Sequence, residues 1–495
     1  MNTDALELSP DEAKAKVLHL QRKLHKWAST DKHKRFCDLW NLVCDPAVLQ
    51  TAWLRVRSNK GSRTAGVDGA TRYYVENRYG VERFLFELRQ ELNDRSYRPL
   101  PVRERGIPKK RGQVRYLGIP ALRDRVVQMA LKLVLEPILE SDFHASSYGY
   151  RPGRRTQDAI AEIVLLANHP ASYEWVIEAD VEACFDRLDH RAIMAGVERR
   201  IGDRRVLALL RAFLKAGVMT EAGRLERRLT GTPQGGIISP LLMNVALDAL
   251  DREFEATPNE RRQMRRKGLA SCRLIRYADD FVVMVKGSKA QAKATMATLA
   301  DSLARMGLVL SATKTGLAHI DDGFDFLGFR IVRKPRENKR PCVYTFVSDE
   351  ALASVKRKVK ALTSRSTVNL ALHVLIRKLN PILRGWASHF RHAAASQTFS
   401  YLGNYVWWRV VRWLRKKHQG RTWKWLWRRY QLPGSPQEAG QVLYNPAKMR
   451  IIRYRYRGSK IATPWDEVKS RTPGVRQMSF DEAGFLGRLQ ESLSV

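Results

Sequence analysis

The chain has 495 residues, 88 of them Lys or Arg and 50 Asp or Glu, for a net charge of +38, and its 44% hydrophobic content excludes disordered and collagen-like classes. No apolar stretch approaches the roughly 18 residues of a membrane span, the first residues carry no apolar signal core, and the five cysteines form no CxxC pair. A cytoplasmic protein without a membrane partner is expected, and so basic a fold points to a polyanion, nucleic acid foremost.

Residues 1–60 read as a helical extension, with Leu18, Leu20 and Leu24 set among Lys and Arg, and a glycine-rich loop follows from Gly61 to Gly69. Tyr97 to Pro120 is turn-rich and extended, and Leu122 to Leu139 has the pattern of a helix. From Tyr173 to about Val347, short β-rich runs alternate with helices, the signature of a mixed α/β domain. The run Trp175 to Asp186 delivers Asp180 near the end of a strand. The run Arg273 to Val285 places Asp279 and Asp280 between two β-rich halves, so that a tight turn would push both carboxylates to a hairpin tip. If that tip packs beside Asp180, three hard oxygen ligands meet, the set that two Mg²⁺ ions about 4 Å apart need for in-line phosphoryl transfer. An Asp-Asp pair in a turn is, taken alone, more often structural. Between these sites, Gly231 to Asn244 is a glycine-rich turn running into a helix, a place where backbone approaches a ligand and anions are favoured.

Downstream the composition changes. Ala351 to Gln437 holds no Asp or Glu but 18 Lys or Arg. Val406, Val410 and Trp413 recur at helical spacing, with Arg409, Arg412 and Lys416 on another face. Trp407, Trp408, Trp413, Trp423, Trp425 and Trp427 alternate with basic residues, a mixture suited to stacking on unpaired bases while guanidinium groups hold phosphates. Core packing of a helical bundle is the competing explanation for each ring. His389 and His392 have no further Cys or His close by, which disfavours a metal site. Met449 to Lys460 reads as a small basic DNA-binding region.

The order of these elements resembles the group II intron reverse transcriptase/maturase family, from about Gly61 to about Lys417. The matching motifs are Gly66–Gly69, Ile107–Lys109, Arg115–Pro120, Asp124–Gln128, Ser147–Gly153, the Asp180 strand, Thr232–Gly235, Tyr277–Asp280, Leu310–Thr315 and Phe326–Phe329, with Leu379–Arg391 similar to the family's thumb and maturase region. The resemblance implies a right-hand polymerase of α/β (α+β) class, with fingers and palm over 61–347, an all-α thumb/maturase domain over 348–430 and a basic DNA-binding-like region over 431–495. It implies RNA-directed DNA polymerase activity with two Mg²⁺ ions on Asp180, Asp279 and Asp280. Lys109, Arg115, Phe185, Gln234 and Lys314 would bind the dNTP, with the Phe185 ring excluding a 2′-hydroxyl. Arg384, Arg391, Arg409, Arg412 and Lys416 would hold intron RNA, forming a ribonucleoprotein that assists splicing. Arg453, Arg455 and Arg457 would meet target DNA during mobility by target-primed reverse transcription, alongside an RNA template with its DNA primer. Residues 419–495 lack both Cys and His, so the HNH-type nuclease of many relatives is not expected there. Two other readings stay open: a related polymerase recruited to host defence or repair, and a splicing cofactor that only binds RNA. An RNA-dependent RNA polymerase is disfavoured by Phe185 and by the Tyr-Ala-Asp-Asp context.

Overall fold

Ser9 starts the first helix, Pro10–Thr30, with a reciprocal cap. Its hydroxyl accepts from the Glu12 amide at 3.3 Å, the Glu12 carboxylate accepts from the Ser9 amide at 2.8 Å, and Pro10 fills the first turn, where no N–H is needed. In this computed structural model, which describes residues 8–108, 114–226, 230–432, 434–458 and 461–466, that helix and Pro46–Ser58 pack against the helix Leu122–Glu140. The last is buried nearly all round, as an apolar helix at the centre of a fold must be. Its buried polar residues each hold a neighbouring segment. Asp124 accepts from the Leu100 amide, Arg125 donates to the carbonyls of Gly61, Thr64 and Pro120, and Gln128 accepts from the Ile237 amide.

The extended stretch before that helix forms an antiparallel pair, Val102–Pro108 with Val114–Ile119, placing Ile107 opposite Arg115. Val218–Met219 joins Val102–Pro108 in parallel and pairs antiparallel with Leu225–Glu226. The mixed α/β part is built on a second four-stranded sheet, ordered Ser271–Tyr277, Asp280–Lys286, Trp175–Ala179, Gly316–His319. Its central strand Asp280–Lys286 carries a continuous apolar run, Phe281 to Val285, every residue of which is buried because both faces of the sheet are covered there. This is a palm-like α/β fold of the expected class.

Packing divides the chain into two compact units, the first comprising 8–159, 177–317 and 457–466 among the described residues, the second 160–176 and 318–456. The second unit contains a three-stranded antiparallel sheet (Phe324–Phe326, Phe329–Arg336, Lys339–Val347) and the helices Asp349–Leu362, Leu372–Phe390, Ser396–Lys417 and Trp423–Tyr430. Val406, Val410 and Trp413 are buried on the Ser396–Lys417 helix, as their spacing predicts. The division differs from the four-part reading of the sequence because packing groups the N-terminal helices and residues 457–466 with the palm. No helix among the described residues is long and apolar enough to cross a membrane.

Candidate active site

The acidic turn forms because two apolar strands meet with only Ala278 and Asp279 between them, Tyr277 opposite Asp280. Such a two-residue connection needs a positive φ, and Ala278 supplies it at +62°. Asp180 directly follows the neighbouring strand Trp175–Ala179. Its carbonyl accepts from the Ser311 amide at 2.8 Å and Val181 bridges Leu310, which brings the following segment alongside. Lys314 then donates from Nζ to the Asp180 carboxylate at 2.9 Å.

The three carboxylates share one electrostatic field. Burial pushes Asp280 up to about 7, the charges of Asp279 and Asp180 push the same way, and Lys314 opposes them. Asp279 is also raised by burial, with Arg115 and Arg276 holding it down and Asp180 lifting it. Burial and the Asp279 charge push Tyr150 up to about 12. Among the described residues no three His, Cys, Asp or Glu side chains form a ready-made metal cage. The donor set still fits a hard dication: repelling carboxylate oxygens, one of which has already drawn in the ammonium of Lys314.

Around these acids the predicted nucleotide-binding residues take definite places. Arg115 donates from Nε to Gln234 Oε1 at 2.6 Å, and the Gly118 amide donates to the Gln234 carbonyl at 2.8 Å. Gly235 lies at φ +119°, and a Cβ there would fall 2.6 Å from the Gly118 carbonyl oxygen, so this turn requires glycine. Phe185 is buried, and its carbonyl accepts from the Thr232 amide at 2.6 Å, tying the glycine-rich turn to the segment after Asp180. Lys109 lies outside the described residues. Sequence reasoning gave no role to Gly149, Asn244, Asp251 or Arg276, which pack beneath the turn. The available signal was a charged residue inside the apolar run Leu274-Ile275-Arg276.

The basic residues expected to hold nucleic acid divide in two. Arg412, Lys416 and Arg384 are exposed, the last with its guanidinium over the Tyr444 ring. Arg391 is half-buried, with its Nε lacking a partner among the described residues. Arg409 departs from the predicted free face: it donates to the hydroxyl and the carbonyl of Thr363, both at 3.0 Å, because the end of the helix Asp349–Leu362 leaves carbonyls to satisfy. In the tail, Arg453 and Arg455 are exposed, whereas Arg457 donates to the fully buried Asp158 carboxylate and to the Gly153 carbonyl. Its expected place in a free DNA-binding stretch is corrected accordingly. The tryptophans divide likewise, Trp413 buried and Trp408, Trp423 and Trp427 exposed. His389 packs on Phe329 and Phe390, and His392 bonds the Ile452 carbonyl at 2.8 Å, so both serve packing.

Residues 107–331 match the family described as reverse transcriptase (RNA-dependent DNA polymerase), and residues 352–432 match the group II intron, maturase-specific domain. The chain is 40% identical over 344 residues to protein YkfC of Escherichia coli (strain K12), covering 64% of this chain and 89% of that protein. It is 30% identical over 359 residues to the group II intron-encoded protein LtrA of Lactococcus lactis subsp. cremoris, covering 62% of this chain and 58% of LtrA. Nuclear intron maturase 1 of Arabidopsis thaliana is 24% identical over 298 residues, 43% of this chain and 41% of that protein.

Proposed function

The chain belongs to the reverse transcriptases that carry a group II intron maturase-specific domain, and on that footing we propose that it copies RNA into DNA at Asp180, Asp279 and Asp280 and binds an intron RNA through its helical block. One observation carries the first part: carboxylates from adjacent strands of one sheet meet where the charges of Asp279 and Asp180 add to burial in raising Asp280, and the Lys314 ammonium sits on Asp180 as a counter-charge.

Asp180, Asp279 and Asp280 would hold two Mg²⁺ ions, which would supply charge stabilisation to the attacking hydroxyl oxygen and to the leaving pyrophosphate. The chain's own residues do the rest. Asp280 opens the strand Asp280–Lys286 and Asp180 directly follows the strand Trp175–Ala179, so the ligands come from strand ends and from the turn between. Arg115 and Gln234, joined by their hydrogen bond, form one polar wall for the incoming nucleotide, and Lys109 completes the set. Lys314, released from Asp180 when the acids are otherwise neutralised, has its ammonium free for a triphosphate. Phe185 lies under the sugar as the 2′-hydroxyl filter.

The division into fingers and palm over 61–347, thumb/maturase over 348–430 and tail over 431–495 follows the same reading. Arg384, Arg412 and Lys416, exposed on acid-free helices, contact RNA phosphates and help the intron reach its splicing-competent fold. Arg453 and Arg455 serve target DNA during mobility. The test offers purified protein an RNA template, a DNA primer and Mg²⁺ with either dNTPs or NTPs. Extension with dNTPs alone, abolished by Asp279→Ala, is expected; no extension by the intact protein would leave only an RNA-binding role.

A further inference from the structure

The strand that runs into the acidic turn carries one charge into the core. Arg276 is 0% exposed. Its Nε donates to Asp251 Oδ1 at 2.9 Å and its Nη2 to Asp251 Oδ2 at 2.5 Å, while Nη1 donates to Asn244 Oδ1 at 2.7 Å and to the Ala278 carbonyl at 3.1 Å. Both side-chain partners sit on the helix Ser239–Glu253. Asn244 extends the network, donating from Nδ2 to the Gly149 carbonyl at 2.9 Å. Gly149 lies so near the turn that a Cβ there would fall 2.1 Å from the Ala278 nitrogen. The backbone of Arg276 closes the ring, accepting from the Tyr148 amide at 2.8 Å and donating to the Ser146 carbonyl at 2.9 Å.

Stability does not explain this arrangement. Desolvating two charges roughly offsets their attraction, and an apolar pair of like volume holds a core as well. What a guanidinium alone offers is a planar fork that meets a carboxylate, an amide and a carbonyl at once. The carbonyl it reaches belongs to Ala278, whose left-handed conformation is unfavourable for an L-residue and persists only where its surroundings over-determine it. The next two residues are Asp279 and Asp280.

We propose that Arg276 is a positioning residue for the polymerase reaction: it anchors the Ala278 carbonyl to the helix Ser239–Glu253 and to Gly149, and so fixes Asp279 and Asp280 at the spacing that divalent cations require. The inference rests on the reading of those two aspartates as metal ligands.

Two variants test it, read out by Mn²⁺ binding to the free protein (electron paramagnetic resonance), thermal melting and primer extension. Arg276→Met with Asp251→Leu removes both buried charges together. Arg276→Lys keeps a charge opposite Asp251 but cannot span all three partners, and it carries the test if the double variant does not fold. Each is expected to weaken Mn²⁺ binding and kcat by about 10–100-fold with KM for dNTP little changed, the usual cost of losing a group that orients metal ligands. A merely structural role predicts that Arg276→Lys, once stably folded, regains wild-type Mn²⁺ affinity and kcat, and that result overturns the proposal. Asp279→Ala runs beside them: if it leaves Mn²⁺ binding and extension intact, the metal-ligand reading itself fails and the proposal falls with it.

Discussion

Gly149 and Lys314 show how single positions govern the acidic site. A methyl group at 149 has no room, since its carbon would overlap the Ala278 nitrogen. Gly149→Ala must therefore displace the turn, and a shift of about 1 Å in catalytic geometry costs on the order of 100-fold in rate. Extension assays on this variant should show that loss while RNA affinity holds, whereas unchanged extension would mean that the turn tolerates displacement. Lys314 acts in the opposite direction in the free protein, because its ammonium competes with any cation for Asp180. The lysine is largely solvent-exposed, so the pair is worth no more than about 1 kcal/mol. Lys314→Met should accordingly tighten Mg²⁺ binding by up to roughly fivefold in calorimetric titration without nucleotide. Weaker Mg²⁺ binding would contradict a competing role. Asp180, Asp279 and Asp280 stand out in the sequence as carboxylates at the ends of apolar runs, but only the family resemblance gave them a metal role. Arg276 and Gly149 were not legible there, because what defines them is the partner that another segment supplies.

Among elements, the segment 457–466 departs most from its sequence reading. The sequence reads Met449 to Lys460 as a basic DNA-binding region, yet Arg457 pairs with Asp158, Trp465 is buried with its ring 5.4 Å from that of His25, and a Cβ on Gly153 would meet the Ala462 carbonyl oxygen at 2.7 Å. Composition alone cannot tell a guanidinium aimed at phosphate from one aimed at a buried carboxylate. Arg457→Ala should cost about 2 kcal/mol in urea unfolding, since it strips a charge-assisted partner from a buried acid. Arg455→Ala, on an exposed side chain, should change stability by less than about 0.5 kcal/mol. Equal effects would show that the Asp158 pair is not structural. The helix Leu372–Phe390 makes a pH prediction through His389, whose burial pulls its imidazole down to about 4. An unfolded histidine takes up its proton near pH 6.5, so this stabilising preference for the neutral ring is complete above that value and is lost as pH falls toward 4. About 2 kcal/mol should disappear between pH 7 and pH 5, and His389→Phe should remove that part of the slope. The helices themselves followed from their periodicity: Leu122–Glu140 and the buried face of Ser396–Lys417 lie where apolar spacing places them.

At the scale of the whole molecule, a net charge of +38 needs an anionic counterpart, and the acid-free block supplies 18 of the basic residues. The structure separates those that cap helices, such as Arg409, from those that face solvent, such as Arg412 and Lys416. Replacing Arg412 and Lys416 with Gln should make the logarithmic salt dependence of RNA binding shallower by about 1.4, at roughly 0.7 per released counterion. An unchanged slope would place this face outside the RNA contact. Sequence order could not show that packing groups the N-terminal helices with the palm and divides the chain into two units, because that depends on contacts between segments far apart along it. The seating of Trp465 on His25 has a consequence for biosynthesis. During translation the ring that covers His25 is made only after roughly 440 further residues have been added. The first unit therefore cannot finish closing until Trp465 has been made, and a nascent chain stalled before that residue would leave the surface of the first helix uncovered.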